Sequence, residues 1–215
     1  MIITVSRQMG AGGGEVARRV AEELGWRVVD NELIDQIAAR AGVTPAEVAE
    51  RDEAAPGFLE RLVRLLTKAA PEILRAPADR VPELEEAKLV KITQDVVEDV
   101  AAEGRVVLVG RAAPAVLSRT RDALHAKIVA PKAARVAEVS ARLGVPMAEA
   151  EAVVSESDAN RKRYHRQYYD RDWDDSTNYH LVLNAAALGT EASVAAIVGR
   201  AKALWPENTR ERRAT

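Results

Sequence analysis

Ser6-Arg7-Gln8-Met9-Gly10-Ala11-Gly12-Gly13-Gly14-Glu15 is the stretch with the clearest chemistry in this chain. An apolar run, Met1-Ile2-Ile3-Thr4-Val5, precedes it, and a helical pattern from Val16 to Leu24 follows. Strand, glycine turn and helix together make a scaffold on which main-chain amides receive a phosphate. Glycine reaches backbone angles closed to other residues and lets the anion approach. Amides at the helix start then face the phosphate, with the positive end of the helix dipole behind them. Against the pattern G-x-x-x-x-G-K-[ST], the Lys position is Gly13 and the hydroxyl position is Gly14. The loop therefore predicts a phosphate site whose usual cation and metal-holding hydroxyl are missing. A purely structural turn is the alternative, since the same scaffold opens α/β domains that bind nothing there.

A second group lies far along the chain, in Asp158-Ala159-Asn160-Arg161-Lys162-Arg163-Tyr164-His165-Arg166. Asp158, Arg161 and His165 stand at helical spacings of three and four, on one face. One reading is a solvated face with an intrahelical Asp–Arg pair. The other is a lid whose arginines neutralise a phosphoryl group in transfer. Asp158 and Arg161 lead as catalytic candidates, with Arg166 behind them. Asp170-Arg171-Asp172-Trp173-Asp174-Asp175-Ser176 lacks the glycine and closing Glu of a calcium loop and reads as a capped turn anchored by Trp173.

The elements that must position these groups follow from the apolar runs. Ile2–Val5, Arg27–Val29, Val106–Val109, Ala126–Val129 and Leu181–Leu183 read as buried parallel strands separated by helical patterns. That alternation predicts a doubly wound α/β sheet, in which ligands sit beyond the carboxyl ends of the strands. The exits are the glycine loop, Asp30, Gly110-Arg111, Pro131-Lys132 and Asn184. All five carry glycine, polar or charged groups. Between about 31 and 104 the spacing predicts a long helical insertion: a helix over 31–41, a capping box at Thr44-Pro45-Ala46-Glu47, an amphipathic helix over 57–70, a connection punctuated by Pro71, Pro77 and Pro82, and a helix over 83–103. It is either a packing or dimerisation device or a cover over substrate. The region 146–176 holds the lid helix, over 146–169, and the Asp-rich turn. A short basic cluster, Arg210-Glu211-Arg212-Arg213, is expected to be disordered.

Composition narrows the function classes. The 215 residues suit one α/β domain with an insertion, and 47% hydrophobic with only 4% aromatic residues implies an aliphatic core. A net charge of −2 argues against general binding to nucleic acid or anionic membranes. The absence of cysteine excludes disulfides, thiol catalysis and cysteine-ligated zinc, and the three histidines, His125, His165 and His180, lack metal-ligand spacing. No signal peptide and no membrane span are expected, which predicts a cytoplasmic protein acting as monomer or homodimer.

The chain resembles the cytidylate kinase-like family of P-loop proteins, relatives of the nucleoside monophosphate kinases. The matching segments are I-T-V-S-R-Q-M-G-A-G-G-G-E-V-A at 3–17, V-V-D-N-E-L-I at 28–34, V-V-L-V-G-R-A-A at 106–113, D-A-N-R-K-R-Y-H-R-Q-Y-Y at 158–169 and D-W-D-D-S-T-N-Y-H-L-V-L-N at 172–184. The resemblance implies a P-loop kinase fold with a five-stranded parallel sheet flanked by helices, a helical insertion and an Arg-bearing lid helix. It implies ATP as donor, Mg²⁺ as cofactor and a nucleoside monophosphate, CMP or dCMP, as acceptor. Arg7, Gly10, Ala11, Gly12, Gly13, Gly14, Glu15 and Asn184 would serve the donor. Asp30 and Arg111 would serve the acceptor, and Asp158 and Arg161 match the lid's D-x-x-R. The departures are Gly13 for the loop Lys, Ala112 for an acidic residue after the G-R pair, and Gly14 where close relatives carry a basic residue. Arg7, Arg18 or a lid arginine can replace the Lys. Glu15, through a Mg²⁺-bound water, can replace the hydroxyl. If nothing does, one lost transition-state contact costs roughly 3–4 kcal/mol, or about 10²–10³ in rate. A nucleotide-binding sensor or regulator on a kinase fold, with little turnover, is the alternative.

Overall fold

The computed structural model describes residues 1–30, 36–37, 39–42 and 83–206, the side chains of 83–87 excepted. Five strands form one parallel sheet: β1 (Ile2–Arg7), β2 (Arg27–Val29), β3 (Val106–Val109), β4 (Ala123–Val129) and β5 (Leu181–Asn184). Their order is β2-β3-β1-β4-β5, so the strand carrying the glycine loop is central. Ile2 pairs with Val106 on one side and Ala123 on the other, and the β1–β4 register runs on to Arg7 opposite Ile128. All five sequence-predicted strands are present. β1 runs past Val5 to Arg7, and β4 starts at Ala123 rather than Ala126. The extensions carry Ser6 and His125, buried polar residues that apolar-run reading passes over.

Alternation along β1 splits the core. Ile3 and Val5 face α1 (Gly13–Leu24), while Ile2 belongs to the opposite cluster with Val29, Leu108 and α2 (Glu83–Glu103). The buried side chains of both clusters are aliphatic, as the low aromatic content predicts, with Trp26 and Trp205 packed at the edge of the second. A short helix, α3 (Ala113–Val116), follows β3. After β4 come α4 (Lys132–Leu143) and α5 (Met147–Tyr169), which pack on each other through Val136, Val139, Val153 and Val154. A 3₁₀ turn at Ser176–Asn178 leads into β5, and α6 (Ala185–Leu204) closes the sheet face beside α1. Residues 36, 37 and 39–41 are helical. The capping box at 44–47, the helix over 57–70, the proline-marked connection and the basic cluster at 210–213 lie outside the described residues. Among the described residues no helix is long and apolar enough to cross a membrane.

Candidate functional site

The loop between β1 and α1 is held on one side and open on the other. Gln8 N–H donates to the Ile128 carbonyl at 3.0 Å, and its side-chain Oε1 accepts from Ala130 N–H at 3.1 Å, fastening the loop to the end of β4. Gly10 has φ 78°, and a Cβ there would stand 2.5 Å from the Arg135 carbonyl oxygen. Only glycine fits that approach. Gly12 precedes α1 with φ 76° and no side-chain cap. The first amides of α1 are therefore left to an outside acceptor. Nothing lies within 4 Å of where a Cβ on Gly12 or Gly14 would stand. A helix start facing open space over small residues fits a phosphate.

Three charged residues gather beyond the carboxyl ends of neighbouring strands. Arg7 closes β1, and its Nη2 lies 3.8 Å from Oδ1 of Asp30, just past β2. Arg111 follows β3 and is buried. Burial, and then the nearby charge of Arg7, bring its guanidinium down to about 10. Two arginines close enough to oppose each other's charge favour an anion between them. Gly110, Arg111 and Ala112 have φ of 77°, 55° and 48° in succession. Left-handed backbone costs a non-glycine residue about 1–2 kcal/mol, and such strain collects at functional sites. Here it sets the direction in which Arg111 leaves the sheet.

Asp158 and Arg161 sit on a buried face of α5, not a solvated one. Asp158 Oδ1 accepts from the Met9 amide at 3.1 Å, and Oδ2 accepts from Arg135 Nη1 at 2.7 Å. Arg135 also donates to the carbonyls of Met9 at 3.1 Å and Ala130 at 2.9 Å. A buried ion pair therefore clamps the glycine loop between α4 and α5. Arg161 donates to Ser157 Oγ at 2.8 Å and reaches Asp158 at 3.4 Å, with its guanidinium over the Trp173 ring. His165 is buried behind it, 6.5 Å from the same ring. Trp173 is 1% exposed and donates to Ser6 Oγ on β1, anchoring the Asp-rich turn as its composition suggests. Lys127 on β4 donates to the Trp173 carbonyl and to Asp174, and Lys162 of α5 reaches Asp174 at 2.6 Å. Burial, against the pull of Asp174, lowers the Lys127 ammonium from its ordinary range.

The remaining candidates stand apart from this cluster. Arg166 is exposed and lies 3.7 Å from exposed Asp170. Asn184 accepts from the Ala187 amide and so caps α6. Glu15 binds Arg18 through both oxygens, at 2.6 and 3.0 Å, and this pairing holds its carboxyl below the ordinary range. Arg18 also reaches Glu22, so its guanidinium is committed to its own helix surface. Sequence reasoning missed Arg135 and Lys127. Each carried a signal: Arg135 stands one turn into the helix leaving β4, and Lys127 is a charge inside an apolar strand.

Residues 2–187 match the profile of the cytidylate kinase-like family. A curated relative, a cytidylate kinase of Halorubrum lacusprofundi, is 26% identical over 207 residues, spanning 96% of this chain and 92% of that protein. Among solved structures, an uncharacterised protein from Eubacterium ventriosum superposes with a TM-score of 0.67 at 20% identity, over 94% of this chain and 98% of that one. A shikimate kinase from Bacteroides thetaiotaomicron superposes with a TM-score of 0.51 at 17% identity, over 96% and 98% of the two chains. These structural likenesses establish the P-loop kinase fold.

Proposed function

Because this chain belongs to the cytidylate kinase-like family, we propose that it transfers the terminal phosphoryl group of ATP to a nucleoside monophosphate, with CMP or dCMP as acceptor. The open face of the loop at Gly12 and Gly14, beside Arg7 and buried Arg111, is the observation that carries this reading. The name of the curated Halorubrum relative supports the cytidine acceptor.

The loop amides and the start of α1 hold the donor phosphates. Arg111 and Asp30, at the ends of β3 and β2, serve the acceptor. An acceptor phosphate oxygen attacks the terminal phosphorus. The bond from that phosphorus to its bridging oxygen breaks, and the electron pair leaves on ADP. The attacking oxygen is already ionised, so no base is needed, and catalysis rests on positioning and charge neutralisation. Arg161, poised on the buried face of α5, supplies charge as the lid packs over the site. The Asp158–Arg135 clamp keeps the loop in its receiving shape. Mg²⁺ would arrive with ATP, held mainly by phosphates and water, because Glu15 is engaged with Arg18 and can contribute only through a water.

Gly13 and Gly14 favour a second reading, a nucleotide sensor with little turnover. Mg-ATP against a panel of nucleoside monophosphates, with ADP release followed directly, separates the two. Acceptor-dependent ADP with cytidine nucleotides supports the kinase. Nucleotide binding without ADP from any acceptor supports the sensor. Neither binding nor turnover removes both.

A further inference from the structure

The loop pattern G-x-x-x-x-G-K-[ST], laid on this chain with its second glycine at Gly12, puts its first glycine at residue 7 and its Lys at residue 13. Here the two are exchanged in kind: Arg7 stands where the pattern has glycine, and Gly13 where it has the cation. The geometry shows why they change together. A Cβ built on Gly13 would stand 2.4 Å from Cβ and 3.0 Å from Cγ of Arg7. The Cβ is fixed by the backbone and cannot swing away, and the Cγ moves only by turning the whole side chain. The next atom is Ile128 Cβ at 3.4 Å, an ordinary contact. Gly13 carries ordinary helical backbone at the start of α1, so Arg7 alone demands glycine there. The arginine stem occupies the place from which a residue-13 side chain would leave.

We infer that the phosphate-neutralising cation of this loop has moved from residue 13 to residue 7, and that Arg7 contacts the transferring phosphoryl group from the strand side. The inference rests on the kinase reading above. Arg7 ends β1 directly before the loop, and its guanidinium lies 3.8 Å from Asp30. It also lies close enough to Arg111 for its charge to act there. That places the charge between the loop that takes the donor and the residues assigned to the acceptor, where the phosphoryl group crosses. Arg18 is held by Glu15 and Glu22 on the helix surface. Asp30 holds Arg7 on the acceptor side.

A four-member cycle tests this: wild type, Arg7→Gly, Gly13→Lys and Arg7→Gly/Gly13→Lys, each measured for Mg-ATP affinity by calorimetry, for kcat and for melting temperature without nucleotide. Arg7→Gly should weaken Mg-ATP binding by about tenfold and lower kcat by about 10²–10³. Gly13→Lys alone should lower the melting temperature and add no affinity, because its side chain meets Arg7. The double variant should recover at least tenfold of the affinity lost in Arg7→Gly. If Gly13→Lys does not fold, Gly13→Ala answers the steric half: alanine should lower the melting temperature with Arg7 present and not in Arg7→Gly. A double variant no better than Arg7→Gly, or an Arg7→Gly protein with wild-type affinity and kcat, overturns this inference alone. A wild type that binds no Mg-ATP overturns the kinase reading and this inference together.

Discussion

Removing the Asp158 carboxylate should loosen the phosphate loop and the fold together. Asp158 and Arg135 side chains are 12% and 7% exposed, so Asp158→Ala leaves a guanidinium buried without its counter-charge. Breaking one partner of a buried pair costs about 3–5 kcal/mol. The Met9 amide also loses its acceptor, a bond worth about 1.5–3 kcal/mol to a charged oxygen. Because Arg135 keeps its bonds to the Met9 and Ala130 carbonyls, the lower end of the sum, about 4.5 kcal/mol, is expected. For a chain of this size, that lowers the melting temperature by about 10 °C. Asp158→Asn keeps the shape and one acceptor and should lose about half as much. Urea unfolding gives the stability of each variant, and calorimetry with Mg-ATP reports the loop. Donor affinity in Asp158→Asn should fall by about tenfold, since the amides that cradle phosphate are no longer held. An Asp158→Ala protein within about 0.5 kcal/mol of wild type, the scatter of ordinary surface changes, would refute the clamp. So would a destabilised variant with unchanged donor affinity, because the clamp would then have no hold on the loop.

Other predictions follow from the same geometry. His125 is buried against Thr4 and stacked on His180, and burial, then the His180 charge, hold its pKa down to about 4. The unfolded chain takes up that proton first, so stability is full above about pH 6.5 and falls toward pH 4 by about 3 kcal/mol; His125→Gln should flatten unfolding measured across that window. Gly10→Ala forces a left-handed alanine against the Arg135 carbonyl and should cost about 3 kcal/mol, whereas Gly14→Ala enters open space and should stay within about 0.5 kcal/mol. Equal melting temperatures for these two variants would contradict the loop geometry. Arg111→Lys keeps the charge and loses the bidentate fork, so the acceptor KM should rise by about tenfold with donor affinity held. An earlier unfolding transition with unchanged acceptor KM would make Arg111 a structural residue.

The sheet was legible because buried parallel strands read as aliphatic runs between helical patterns. Its strand ends were less legible. Ser6 and His125 lie just beyond those runs and Lys127 interrupts one, yet each is buried and paired across the sheet or to the Trp173 turn. The glycine loop was legible as a glycine turn between strand and helix, but the reason for Gly13 was not. A contact between residues 7 and 13 depends on how the strand end meets the helix start, which spacing does not convey. Asp158 and Arg161 were legible as a helical pair. Their burial, and the reach of Asp158 to Met9 and Arg135, came from packing between elements distant in sequence. Arg166 and Asn184 are placed in ways spacing does not convey: the basic residue on α5 faces solvent, and the polar residue at a strand exit caps the next helix.

The central claim is that a loop without its Lys still moves a phosphoryl group. A single-turnover reaction with ATP labelled in its terminal phosphate, excess protein, Mg²⁺ and CMP reads this directly when the products are separated. Label in CDP, formed at the rate at which labelled ATP disappears and slowed by about 10²–10³ in Arg7→Gly, is the predicted result. Label that stays in ATP, or passes only to inorganic phosphate with every nucleoside monophosphate tried, would contradict it.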